Sequence, residues 1–224
     1  MLKDADVDYA VDAAAFGIFL HQGQVCMANS RLIVEAPIFD AFCEKLTAKI
    51  KGFQVGDPHD PQTVIGPLID RKQCRVLDGH VADAVAKGAK LLTGGRSEGA
   101  FYQPTILAGV TPDMLVFREE SFGPAVSVIR AEDSEAALAL ANDSCYGLSS
   151  GLITNDLQKA FDLSLRLEAG MVHINDSSIM DEPHVPFGGV KDSGFGREGG
   201  HHSMDEMTEL KWVTVQLGQR QFPF

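Results

Sequence analysis

The sequence predicts an α/β domain with an open, mostly parallel, twisted sheet and flanking helices. From residue 125 to residue 174, short apolar segments of strand length alternate with amphipathic segments of helical length. Two successive strand–helix–strand units place neighbouring strands parallel, with right-handed connections. The 224 residues, 45% of them hydrophobic, are enough to bury one large core.

Caps, breakers and apolar spacing predict three helices in the first half of the chain. The first has Asp4 or Asp6 as its cap, and the second begins near Pro37, because proline favours the first helical turn. A short strand over residues 31–35 separates these two helices. The three helices are predicted over residues 4–20, 37–50 and 70–87.

The second half of the chain is where strands and helices alternate most clearly. The predicted elements are a strand over 125–130, a helix over 133–142, a strand over 151–154, a helix over 156–168 capped by Asn155, and a strand over 171–174. A short helix near 203–209 and a final strand over 210–217 follow. Because that final strand has no nearby partner, we expect it to pair with a second segment or a second subunit.

Composition argues against several classes of partner. The 31 acidic residues outnumber the 19 basic ones, and the formal charge of -12 disfavours nucleic acid and anionic membranes. No apolar run is long enough to span a membrane and the N-terminus is polar, so we expect a cytoplasmic protein. The four cysteines lack paired spacing, so neither a zinc site nor a disulfide framework is predicted.

Cys26 is the candidate nucleophile. It follows a Gly-Gln pair at the end of an apolar helical run, where a break in regular structure can present a thiol and surround it with backbone N–H groups. The other three cysteines, Cys43, Cys74 and Cys145, lie among apolar or helical neighbours and are expected to be inert.

Three other patterns are given a non-catalytic interpretation. The glycine motif over 194–199 matches a dinucleotide fingerprint, but no apolar strand precedes it, so a loop is predicted. The pattern over 147–151 matches a serine-hydrolase elbow, but the order of helix and strand is reversed. Adjacent His201 and His202 cannot both face one ion from a helix and lack a third ligand, so no metal is expected.

The segment from Phe19 to Arg31 resembles the active-site signature of the NAD(P)-dependent aldehyde dehydrogenase superfamily. It reads Phe-x-x-x-Gly-Gln-x-Cys-x-Ala-x-x-Arg, with Cys26 at the position of the catalytic cysteine. The resemblance implies that Cys26 forms a thiohemiacetal with an aldehyde and then a thioester, with NAD or NADP as cofactor. Similar motifs run from residue 1 to about residue 217.

A second motif implies part of a cofactor site. The segment Phe117-Arg-Glu-Glu-Ser-Phe-Gly-Pro124 is similar to the family loop in which the second glutamate bonds the nicotinamide ribose. By this resemblance Glu120 contacts the ribose and Phe122 supports the same end of the cofactor. Gln73 stands where family members often have a glutamine that touches this ribose, although Val76 replaces the basic residue usual three positions later.

Four further residues are assigned to substrate binding. Asn175 is similar to the family asparagine that follows the last core strand and lies near the nucleophile, with a plain strand-end cap as the alternative. By the same resemblance Phe187 lines the substrate tunnel, together with Val25 and Met27 beside the cysteine. The sequence of residues 173–187 looks most like that of the benzaldehyde and vanillin dehydrogenase branch, which implies that the substrate is an aromatic aldehyde.

The resemblance also implies missing parts. In the family, the cofactor-binding domain, the oxyanion asparagine and the general-base glutamate all precede the point that corresponds to Met1. We therefore expect no significant aldehyde dehydrogenase turnover from this chain by itself. By the same resemblance we expect a catalytic domain over residues 1–200 and a C-terminal helix and oligomerisation strand over residues 201–224. We also expect a homo-oligomer, either a dimer or a tetramer. One alternative is a non-catalytic, truncated remnant that serves as an assembly or binding module, and a more distant one is a cofactor-free thiol esterase.

Overall fold

The computed structural model describes residues 1–224 and has an α/β architecture. The helices are α1 (Val7–Phe19), α2 (Ala36–Ile50), α3 (Arg71–Ala86), α4 (Leu115–Arg118), α5 (Ser134–Asn142), α6 (Leu157–Arg166) and α7 (Gly200–Glu206). The strands are β1 (Arg31–Glu35), β2 (Gln54–Val55), β3 (Thr63–Ile65), β4 (Lys90–Thr93), β5 (Ser97–Glu98), β6 (Phe101–Tyr102), β7 (Thr105–Ala108), β8 (Ala125–Ala131), β9 (Tyr146–Gly147), β10 (Ser149–Leu152), β11 (Met171–Ile174) and β12 (Val190–Lys191).

The main sheet has four strands in the order β1–β8–β7–β4. The β1–β8 and β8–β7 pairs are parallel, and β4 joins the edge antiparallel to β7. The largest buried cluster lies where α1 and α2 cover one face of this sheet, and Phe42, Leu46 and Ile50 of α2 are fully buried in it. The predicted α/β class, with a mostly parallel sheet and flanking helices, is confirmed.

Helix caps explain where the helices begin. The Asp6 carboxylate accepts from the N–H groups of Asp8 and Tyr9 at the start of α1, so Asp6 and not Asp4 is the cap. The predicted cap of α6 is wrong: Asp156 accepts from the Lys159 N–H, whereas Asn155 donates its amide to the Asp4 carbonyl.

The predicted pair of crossovers is only half correct. β10 and β11 are parallel neighbours, but they form a separate two-stranded sheet, and β10 begins two residues before its predicted start. β8 already has β1 and β7 on its two edges, so it cannot also pair with β10. The first two residues of the chain lie between the sheets instead, since the Met1 amine donates to the Ile33 carbonyl and the Leu2 N–H donates to the Ile153 carbonyl.

The C-terminal segment differs from its prediction. Helix α7 begins at Gly200, earlier than expected, and residues 208–224 form no strand. Their backbone groups have no neighbouring strand to pair with, because a strand forms only in a hydrogen-bonded ladder. Several large apolar side chains of this segment are consequently exposed: Leu210, Trp212, Val213, Val215, Leu217, Phe222 and Phe224.

None of the seven helices combines the length and the apolar character that crossing a bilayer requires.

Candidate active site

The Cys26 thiol stands on a tight turn after α1. The chain leaves α1 through three consecutive residues with positive φ, His21, Gln22 and Gly23, at 49°, 60° and 71°. Cys26 and Met27 are then the central residues of a turn closed by the Ala28 N–H, which donates to the Val25 carbonyl at 2.9 Å. The Cys26 side chain is exposed, and the N–H groups of Cys26 and Met27 donate to no group of the chain. Two free donors therefore lie beside the thiol.

Gly23 joins this turn to the loop that carries the predicted cofactor residues. A Cβ at Gly23 would lie 2.3 Å from the Gly123 carbonyl oxygen and 2.9 Å from the Ile18 carbonyl oxygen. Only glycine tolerates both that approach and the positive φ. Gly23, the motif glycine before Cys26, is thus the point where the Cys26 turn touches the loop that carries Glu120 and Phe122. The sequence did not predict this role.

Side chains of α3 hold the loop from Glu119 to Pro124 in place. The Gln73 side-chain amide donates to the Ser121 carbonyl at 2.6 Å, and the buried His80 ring pairs through Nδ1 with the Ser121 hydroxyl at 3.0 Å. Burial lowers the pKa of His80, which keeps its ring neutral near pH 7. Phe122 has a φ of 43°, a conformation that costs free energy and persists because these contacts fix its neighbour.

His80 and Ser121 were not identified by the sequence analysis. Their one signal was a histidine on the apolar face of α3, in register with buried Leu77 and Ala84. A histidine at such a position usually has a buried hydrogen-bond partner. That partner lies 41 residues away and could not be identified from spacing alone.

Five of the eight predicted site residues line one cavity of about 460 Å³: Val25, Cys26, Met27, Glu120 and Phe122. The carboxylate of Glu120 is exposed and forms no ion pair. Cys26, Glu120 and Phe122 therefore line one cavity although they lie about a hundred residues apart in the sequence.

Gln73, Asn175 and Phe187 do not line this cavity. The Asn175 amide oxygen accepts from the Thr154 N–H at 2.9 Å, and its carbonyl accepts from the Tyr9 hydroxyl at 2.7 Å. These contacts are those of the strand-end alternative. Phe187 is half-buried and its backbone pairs with Glu198. The substrate roles of Asn175 and Phe187 stay predictions.

Ser178 fixes the residue beside Cys26. Its hydroxyl lies 2.5 Å from the Met27 carbonyl oxygen and 2.5 Å from Oδ1 of Asn29. The Asn29 N–H donates to the carbonyl of Gly17 in α1. Ser178 and Asn29 thus connect the thiol turn to the segment after β11, and neither was identified from the sequence.

The other cysteines divide into two groups. Cys43 and Cys74 are buried as expected; burial raises the pKa of Cys43 to about 11 and also raises the pKa of Cys74. The expectation for Cys145 was wrong in one respect, because its thiol is exposed in the loop between α5 and β9. Labelling experiments on Cys26 therefore need Cys145 as their comparison.

The sequence argument against His201 and His202 as ligands was also wrong in its geometry. The rings lie 3.9 Å apart, and the ligand atoms of His201, His202 and Asp205 are all within 4.8 Å of one another. The three groups are exposed or half-exposed on a seven-residue helix. Such surface clusters are common without an ion, and this one gives no reason to assign a metal.

Together these features define an α/β domain in which an exposed thiol and a loop that carries an exposed carboxylate line one cavity. The aldehyde dehydrogenase family matches residues 1–213, and the chain belongs to that family.

Several relatives match this chain over its whole length. A vanillin dehydrogenase of Pseudomonas fluorescens is 48% identical over 223 residues, and a benzaldehyde dehydrogenase (NAD+) of Pseudomonas putida is 43% identical over 225 residues; each match covers 100% of this chain and 46% of the relative. The crystal structure of a salicylaldehyde dehydrogenase from Pseudomonas putida G7, complexed with salicylaldehyde, superposes with a TM-score of 0.97 at 43% identity, over 100% of this chain and 46% of that one. The chain thus spans about half the length of these relatives.

Proposed function

We propose that this chain is the thiol-bearing portion of an NAD(P)-dependent dehydrogenase that oxidises aromatic aldehydes to carboxylic acids. One observation carries the proposal: the Cys26 thiol, with two free N–H donors beside it, shares a cavity with Glu120 and Phe122. The relatives supply the substrate class, since their names give vanillin, benzaldehyde and salicylaldehyde as substrates.

The chemistry begins at the thiol. As a thiolate, Cys26 attacks the aldehyde carbon and forms a C–S bond, and the negative charge moves to the carbonyl oxygen. The N–H groups of Cys26 and Met27, which donate to no group of the chain, are available to donate to that oxygen. Oxidation of the adduct gives a thioester on Cys26, and attack by water releases the acid and restores the thiol.

The residues present fit a nicotinamide cofactor. When bound, NAD(P)+ would supply the oxidant, which takes one proton and two electrons together from the adduct. The unpaired Glu120 carboxylate can accept hydrogen bonds from ribose hydroxyls, and the Phe122 ring, 38% exposed, offers an apolar surface beside it. Because the Gln73 amide is bound to the Ser121 carbonyl, we assign it to holding the loop in place.

Substrate preference tests the proposal. In the complete protein that contains this chain, kcat/KM for benzaldehyde is expected to exceed that for hexanal by about tenfold or more, because the thioether of Met27 beside Cys26 gives the ring an apolar contact. Production of NADH or NADPH, followed at 340 nm, measures both rates. A preference for hexanal would contradict the aromatic assignment, and no oxidation of either would contradict the activity.

Glu120→Gln, in the same complete protein, is expected to lower kcat about tenfold or more while Cys26 still forms its adduct, because the loss of charge weakens the hydrogen bonds to ribose. Glu119→Gln is the matched control, since Glu119 is the adjacent exposed carboxylate. Single-turnover kinetics separates adduct formation from oxidation. Equal loss in the two variants would remove Glu120 from the cofactor site.

A role in assembly is favoured by the exposed segment 208–224. Its apolar side chains, among them Trp212 at 91% exposure, are unlike an ordinary surface and are typical of an interface. We propose that this segment pairs with a second subunit. Removing residues 208–224 is expected to lower the oligomeric state measured by analytical ultracentrifugation. If the shortened chain forms the same oligomer as the full chain, this role is contradicted.

A further inference from the structure

We propose that Arg31 is a positioning residue that sets where Glu120 lies relative to Cys26. Arg31 is the first residue of β1, five residues after Cys26. Its guanidinium group forms no hydrogen bond with the Glu120 loop itself but contacts the segment that leads into it. This role rests on the proposed function, in which the Glu120 carboxylate binds the ribose of the cofactor.

The guanidinium group of Arg31 binds the C-terminal end of α5. Nη1 donates to the Leu140 carbonyl at 2.9 Å and to the Asp143 carbonyl at 3.3 Å, and Nη2 donates to the Ala141 carbonyl at 3.0 Å. The last carbonyls of a helix have no partner within the helix and carry its negative dipole end, so a cation is favourable there. Because the guanidinium fork is planar and rigid, these bonds hold the side chain in one orientation.

The Phe117 ring connects Arg31 to the Glu120 loop. The guanidinium carbon atoms of Arg31 and Arg118 each lie 4.9 Å from the centroid of this ring. Phe117 is buried and stands three residues before Glu120 in the sequence. A cation over an aromatic face is attracted to the ring, and the attraction is stronger where water is excluded. Loss of the Arg31 side chain would therefore free the ring that leads into the loop.

Arg118 binds the same end of α5 from the loop side. Its guanidinium group donates to both oxygens of the Asp143 carboxylate, at 2.6 and 3.0 Å. Two parallel bonds of this kind fix the orientation of the pair as well as adding attraction. These hydrogen bonds lower the pKa of Asp143, so its carboxylate is ionised near pH 7 and offsets the charge of both arginines.

The end of α5 is itself fixed to the next helix and strand. The side-chain nitrogen of Asn142 donates to the Arg166 carbonyl at 2.9 Å, and its side-chain oxygen accepts from the Glu168 N–H at 3.0 Å. The segment that carries Cys26 and the segment that carries Glu120 therefore attach to one fixed point. Because each attachment is made by one arginine, a change at Arg31 is expected to alter the separation of the two segments.

Arg31→Met, in the complete protein that contains this chain, is expected to slow oxidation of the adduct about tenfold or more, while adduct formation changes less than about threefold. Methionine retains apolar bulk but cannot donate to the carbonyls of α5. Arg130→Met is the matched control, because the Arg130 guanidinium carbon also lies over a phenylalanine ring, 5.5 Å from the centroid of Phe39, but makes no bond to α5. It is expected to leave both steps unchanged in single-turnover kinetics.

The effect of Arg31 is expected to act through Glu120. In a Glu120→Gln background, Arg31→Met is expected to slow oxidation by less than about a further twofold, because the carboxylate that it positions is already lost. A full additional loss would show that Arg31 acts independently of Glu120 and would overturn the proposal. Equal slowing of adduct formation and oxidation would also overturn it, since general loss of structure affects both steps.

A second measurement, on the 224-residue chain, does not depend on the reaction. Arg31→Met is expected to speed amide hydrogen exchange of Arg118 and Glu119, whose N–H groups bond to carbonyls within α4, about tenfold relative to Arg130→Met. Unchanged exchange would overturn the positioning role. If exchange changes as expected but the complete protein oxidises no aldehyde, the proposed function fails and the attachment of the loop by Arg31 stands.

Circular dichroism checks that each variant is folded. If Arg31→Met alone is unfolded, Arg31→Lys takes its place in both measurements, because lysine keeps the charge but lacks the planar fork that reaches several carbonyls at once. The same slowing of oxidation and the same faster exchange are then expected, and their absence would overturn the proposal.

Discussion

Cys26→Ala is expected to abolish aldehyde oxidation by the complete protein, with kcat reduced by about 10³-fold or more, because no other group of the site can form the thioester. In the 224-residue chain the same change is expected to remove the thiol that iodoacetamide modifies fastest. The Cys26 thiol is exposed and the N–H groups of Cys26 and Met27 donate to no group of the chain, whereas Cys43 and Cys74 are buried.

Cys145→Ala is the matched control, since Cys145 is the other exposed thiol. Its removal is expected to leave turnover and the labelling rate of Cys26 unchanged. Peptide mapping after brief alkylation gives the order of reactivity. Faster labelling of Cys145 than of Cys26, or activity that survives in Cys26→Ala, would show that the nucleophile has been wrongly assigned.

Gly23→Ala is expected to lower the free energy of unfolding by about 1–3 kcal/mol and to slow alkylation of Cys26. The added Cβ would lie 2.3 Å from the Gly123 carbonyl oxygen, at a φ of 71° that alanine adopts only with strain. The turn and the loop have to separate to relieve that contact, which moves the thiol relative to Glu120. Urea unfolding of the 224-residue chain measures the first effect, and iodoacetamide kinetics the second.

Gly79→Ala provides the comparison. Gly79 lies in α3 with ordinary helical φ, is exposed, and has no atom within 4 Å of an added Cβ. Alanine there is expected to stabilise the chain by about 0.5–1 kcal/mol, because it restricts the unfolded chain more than glycine does. If both variants lost the same stability, the Gly23–Gly123 contact would not be the cause.

Sequence alone determined the features that depend on neighbours along the chain. Asp6, one of the two predicted caps of the first helix, fills that role because its carboxylate accepts from N–H groups two and three residues later. The apolar stripe of α2 fixed the face that it buries, and the Gly-Gln pair before Cys26 indicated a break that exposes the thiol. The family followed from the motifs around Cys26 and Glu120, and it is confirmed.

Tertiary structure decided everything that depends on which distant segments meet. The Gly23–Gly123 contact, the His80–Ser121 bond and the insertion of Met1 and Leu2 between two sheets join residues far apart in sequence. A strand pattern shows that a segment is extended but does not name its partner, because any edge offers the same N–H and carbonyl groups. The sheet therefore divides at β10, and residues 210–217 stay unpaired, for reasons that only the partners available in three dimensions supply.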